Sequence, residues 1–122
     1  MIRRLARDIE GATAVEFGLV LPVFVAMMLG LLSVGMLAFS VNSLQFAAED
    51  AARCAAVKTT VCTDASTTRA YALSRYAGPQ VSPVFSYEFA DCGHRVTATA
   101  TYDLGLVPQI GKVPLTATAC YA

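Results

Sequence analysis

Hydrophobic and polar positions divide the chain into unlike stretches. From Phe17 to Val41 no residue is charged, whereas Arg3, Arg4 and Arg7 crowd the segment before it. An uncharged run of about 25 residues rises about 37 Å as a helix, longer than the ~30 Å hydrocarbon core of a bilayer. The pattern predicts a transmembrane helix with room for a modest tilt. The helix is expected to continue, because Leu44 to Val57 holds neither proline nor glycine and repeats Ala47, Ala48, Ala51, Ala52, Ala55 and Ala56 at i, i+4 spacing. Such a stripe of small side chains lets another element approach closely. Glu49 and Arg53 form an i, i+4 pair on the more exposed side.

Lys58 to Cys62 reads as a break, after which Asp64 or Ser66 can cap a second short helix with Ala70, Leu73 and Ala77 on one face. Gly78-Pro79 is its stop signal. The period then falls to two. Phe85, Tyr87 and Phe89 alternate with Ser86 and Glu88, and Cys92-Gly93 makes a turn. Val96, Ala98, Ala100 and Tyr102 alternate with Arg95, Thr97, Thr99 and Thr101. A loop from Leu104 to Lys112, marked by Gly105, Pro108 and Gly111, precedes a last strand that carries Leu115, Ala117, Ala119 and Tyr121 on one face. The expected fold is α+β: a long N-terminal transmembrane helix continuing into a small domain with a second short helix and a three-stranded antiparallel sheet, its apolar face against the alanine stripe. The divisions are residues 1–11 as a charged leader, 12–57 as the long helix with its span at 17–41, and 58–122 as the α+β domain.

Charge sets the expected topology. Acidic and basic residues number nine each, so no net field points to nucleic acid. By the positive-inside rule the leading arginines stay in the cytoplasm and the chain after Val41 is exported. The four cysteines, Cys54, Cys62, Cys92 and Cys120, all follow the apolar run, which suits an oxidising compartment. Four cysteines permit three pairings. Cys54 and Cys62 flank a short break that can fold back, while Cys92 and Cys120 end the first and third strands of a meander, which run the same way. That gives Cys54–Cys62 and Cys92–Cys120. With no C-x2-C spacing and one histidine, no zinc site is expected.

No catalytic set emerges. Cys92-Gly93-His94 places a thiol near a base, but neighbours on a turn do not make the geometry of nucleophilic catalysis, and a disulfide beside a surface histidine is the simpler reading. Phosphate loops and helix-borne metal motifs are missing from the sequence, so neither an enzyme, a cofactor nor a small-molecule substrate is expected. Ala26 and Gly30 form one small-xxx-small pair, a weak hint of helix packing.

The informative stretch is Gly11-Ala12-Thr13-Ala14-Val15-Glu16-Phe17, a glycine followed five residues later by glutamate and then an aromatic residue, at the mouth of the apolar helix. It resembles the processing motif of type IV pilin-like proteins. The following EFGLVLPVFVAMMLGLL, with Pro22 inside it, is similar to the TadE-like family of the tight-adherence (Tad, or Flp) pilus system. The resemblance implies a minor pilin or pseudopilin, cut between Gly11 and Ala12 by a prepilin peptidase and working with other minor pilins and the major pilin in the bacterial inner membrane. It makes Glu16, with Phe17, the assembly contact, the carboxylate neutralising a processed Ala12 amine. Pro22 removes a backbone hydrogen bond and is expected to loosen the helix near Gly18. The rivals are an unprocessed single-pass envelope protein acting as an interaction scaffold, and a disulfide-stapled domain released by ordinary signal peptidase.

Overall fold

The computed structural model describes residues 9–103 and 111–122 of the chain. The charged leader up to residue 8, and residues 104–110 of the expected loop, lie outside the described residues. Helix α1 spans Ile9–Val57 and α2 spans Ala65–Arg75; strands β1 (Val84–Ala90), β2 (Gly93–Asp103) and β3 (Lys112–Tyr121) follow. The chain divides into two compact units, residues 1–35 and 36–122, and α1 contributes to both.

In the first unit α1 is mostly apolar from Ala12 to Gly35, with Glu16 as its one charge there, and these residues are exposed. Farther along, the hydroxyls of Ser33 and Ser40 donate to the carbonyls of Leu29 and Met36, both at 2.9 Å, four residues back. This satisfies a hydroxyl without interrupting the helix.

In the second unit α1 supplies one wall of the core. Leu44, Ala47, Ala48, Ala51 and Ala52 are buried against Val96 and Ala98 of β2, Leu115, Ala117 and Ala119 of β3, and Phe85 of β1. Alanine on both surfaces lets helix and sheet approach with few large side chains between them, so dense packing does the work of bulk. The strand order is β1-β2-β3 with both pairings antiparallel, as a meander requires. Gly93 closes the β1–β2 turn at φ 115°, and a side chain there would meet the Tyr121 carbonyl oxygen at 2.5 Å. Glycine is demanded twice over, by conformation and by space.

Several local expectations change. The third strand begins at Lys112, not Leu115, and so contains Pro114. β3 is an edge strand, which can accommodate a residue without an N–H. Gln45 Nε2 donates to the Thr118 carbonyl at 3.3 Å, so that carbonyl points away from β2. Pro114, Thr116 and Thr118 share that alternation, and the missing donor falls on the open edge. Phe89 shares the strand parity of Phe85 and Tyr87 yet is 74% exposed, because this end of β1 outruns the core and its ring meets only the edge of His94 at 5.2 Å.

The inward face of α2 is Thr68 and Ala72, not Ala70, Leu73 and Ala77. Helix α2 ends at Arg75, leaving Ala77 outside it. Asp64 is the cap: its carboxylate accepts from the Thr67 N–H at 2.8 Å while the Asp64 N–H donates to Thr67 Oγ1 at 3.0 Å. This reciprocal box occupies two orphan donors of the first turn. Thr68 can be buried because its hydroxyl donates to the Asp64 carbonyl at 2.8 Å. At the other end the Tyr76 hydroxyl donates to the Pro79 carbonyl at 2.6 Å, and a Cβ on Gly78 would lie 2.7 Å from that hydroxyl.

Candidate functional site

The motif singled out in the sequence lies on the first turns of α1. Gly11, Ala12, Glu16 and Phe17 all fall within Ile9–Val57. Ala12 and Glu16, four residues apart, share a helix face. Glu16 is exposed and Phe17 is 65% exposed, so carboxylate and ring are open to a partner. Gly18 has open space where a side chain would be, and α1 runs unbroken through Pro22. Proline deprives the Gly18 carbonyl of its usual donor, a loss that membrane helices tolerate. The helix is the one candidate span among the described residues: its best window has a mean hydropathy of 2.4, with 0% of that window buried. An apolar surface of this extent, uncovered by the chain itself, requires a bilayer or another apolar partner.

The cysteines form Cys54–Cys62, with Cα atoms 5.8 Å apart, and Cys92–Cys120, at 6.1 Å. They sit in different surroundings. Cys54 and Cys62 are buried with Ala55 beneath Tyr71 and Tyr87, whereas Cys92 and Cys120 are exposed. With Cys92 in a disulfide, the Cys92-Gly93-His94 sequence holds no free thiol. His94 Nδ1 lies 2.7 Å from the Tyr87 hydroxyl instead. Among the described residues no group of three or more His, Cys, Asp or Glu side chains converges as a metal site.

Glu49, expected beside Arg53 at i, i+4, takes its partner one turn the other way, and the long-range contact of this stretch falls on Asp50. Glu49 accepts from Gln45 Nε2 at 2.9 Å, and the arginine that pairs with α1 is Arg75 of α2, whose Nε donates to Asp50. The Arg75 guanidinium also lies 5.8 Å from the Phe46 ring centre and 6.0 Å from that of Tyr71. The ion pair, half open to solvent, contributes at most a few tenths of a kcal/mol, and the two rings make the arrangement a positioning device for α2. Nothing in local spacing marks these residues, since the contact joins positions 25 apart. A groove of about 550 Å³ runs between α1 and the outer edge of β3, lined by Gln45, Phe46, Glu49, Arg53, Cys120 and Tyr121 among others.

One long, uncovered apolar helix with a small disulfide-bonded α+β domain fits a single-pass membrane protein. Residues 11–53 match the family model described as TadE-like protein, so this segment of the chain is similar to that family. Comparison with curated proteins and with solved structures finds no match.

Proposed function

We propose that this chain is a minor pilin or pseudopilin of a Tad-type pilus, anchored by α1 with its α+β domain exported, and that a prepilin peptidase cuts it between Gly11 and Ala12. The observation that carries the reading is the exposed Glu16 one helical turn beyond Ala12, at the entrance to a stretch of α1 that is otherwise uncharged and uncovered as far as Gly35. A carboxylate at membrane depth costs a few kcal/mol unless it is paired or held near the interface. Cleavage creates its partner: an Ala12 α-amine, with a reference pKa near 8, is cationic at neutral pH. Because both groups lie on one face, a neighbouring subunit's amine can meet Glu16 when two such helices pack side by side. Gly11 leaves the peptide on the leader side free of a side chain.

In this role the protein is a substrate and an assembly component, not an enzyme. Its partners are the peptidase, other minor pilins and the major pilin. The leading arginines support an N-terminus retained in the cytoplasm. Mass spectrometry of the protein purified from a host that has the peptidase tests the reading, with Ala12 as the expected first residue. An intact Met1–Gly11 segment overturns it in favour of an unprocessed interaction scaffold. A start beyond the apolar run overturns it in favour of a secreted domain.

A further inference from the structure

The two disulfides differ in access, and one has a cation placed on a sulfur. Cys54 is 1% exposed and Cys62 is 5% exposed, beneath tyrosine rings. Cys92 and Cys120 are open to solvent. Cys120 lines the groove between α1 and β3. On the other sulfur, Arg95 Nη2 donates to Cys92 Sγ at 3.8 Å while Nη1 is held by Glu88 Oε1 at 3.0 Å. The guanidinium is therefore tethered beside Cys92 by the cross-strand carboxylate, for Glu88 and Arg95 are register partners.

Thiol–disulfide exchange needs an open line of attack on one sulfur and a stabilised thiolate leaving from the other. A neighbouring cation lowers a thiol's pKa and so makes it the better leaving group. We propose that Cys92–Cys120 is a thiol-exchange site, opened by a dithiol whose thiolate attacks Cys120 Sγ from the groove, with Cys92 leaving as a thiolate held by Arg95. In the first step the S–S bond breaks, its electron pair goes to Cys92 Sγ, and a mixed disulfide forms on Cys120. The second thiol of the dithiol then loses its proton to solvent and displaces Cys120 as a thiolate. The dithiol is oxidised to a disulfide and the protein's bond is reduced by two electrons. The partner class is a dithiol oxidoreductase able to enter a surface groove. Opening the bond frees the last residues of β3 from the β1–β2 turn, and the buried Cys54–Cys62 bond stays closed.

The test uses the full chain in detergent micelles at neutral pH, with dithiothreitol as the reductant and glutathione as a monothiol trap, read by alkylation and peptide mass spectrometry. Cys92–Cys120 is expected to open about tenfold or more faster than Cys54–Cys62, with the glutathione adduct on Cys120. Arg95→Gln should slow opening about threefold and spread the adduct over both cysteines. Glu88→Gln removes the carboxylate charge, but its amide oxygen can still accept from Arg95 Nη1 and keep the guanidinium beside Cys92, so its rate should equal or exceed that of the parent protein. Equal opening of the two disulfides, an adduct chiefly on Cys92, or equal slowing by Arg95→Gln and Glu88→Gln would each overturn the proposal.

Discussion

The two parts of α1 treat apolar surface in opposite ways. From Ala12 to Gly35 the helix is rich in large side chains, Leu, Val, Met and Phe, and all of them are exposed. From Leu44 to Ala55 its buried positions are mostly alanine, and Leu44, Ala47, Ala48 and Ala51 are 0% exposed. Hydrophobicity therefore does not tell where the protein's own core lies. The bulky stretch presents a surface for other molecules, whereas the stretch poor in bulk touches its own sheet, since only small side chains allow a helix to sit close on strands that are themselves lined with alanine. Size, read together with apolarity, separates the two roles.

Breaking the second unit should leave the first untouched. The largest effect is expected from Cys92→Ala combined with Cys120→Ala. The bond closes a separation of 28 residues, and loop entropy assigns it about 3–4 kcal/mol. Denaturant unfolding of the domain in micelles measures that loss, while far-ultraviolet dichroism should retain the signal of the apolar helix. Next comes a paired substitution. Ala51→Leu places a larger side chain at a site with no free surface and should cost about 1–3 kcal/mol. Ala26→Leu makes the same chemical change on the exposed helix and should leave domain stability unaltered. Equal effects from the two would erase the distinction between the segments.

Glu16→Ala sharpens the contrast from the other side. It should not change domain unfolding, and removing a carboxylate from an apolar helix eases insertion. Pilus formation and co-purification of minor pilins should nevertheless fall sharply, with Glu16→Asp intermediate and processing intact on gels. Normal assembly by Glu16→Ala would show that the carboxylate makes no registering contact.

The smallest effect is electrostatic. The Thr67 backbone N–H, followed by its hydroxyl, holds the Asp64 carboxyl below its ordinary range. A depressed folded-state pKa means a contribution that is present above the unfolded value, near 3.9, and lost as pH falls through the folded one. Protection of the Thr67 amide, taken relative to its intrinsic exchange rate at each pH, should therefore fall below about pH 4, and Asp64→Asn should remove most of that dependence.

Much of the architecture was legible because it rests on periods and punctuation. The strand alternation, the Gly78-Pro79 stop and the uncharged run from Phe17 each report a local cause. The inward faces of β2 and β3 followed from the same count, as Val96, Ala98, Leu115 and Ala117 illustrate. What escaped was decided at a distance. Leu73 is the bulkiest aliphatic residue on α2 but is 52% exposed, because the inward side is taken by Ala72, a self-satisfied Thr68 and a half-buried Tyr71. Asp50 finds Arg75 across the fold, and no spacing rule reaches that far. The Gly11–Phe17 stretch was readable as a pattern, and the fold adds that its Glu16 and Phe17 are uncovered.

Pro114 bears on how such a protein can meet others. An edge strand with a complete row of outward donors and acceptors is a template on which any passing strand can grow. Here that row is interrupted twice: Pro114 offers no hydrogen, and the Thr118 carbonyl is engaged by Gln45. Indiscriminate lengthening of the sheet is thereby discouraged at this open side, and a chain that meets this protein is turned toward its other surfaces.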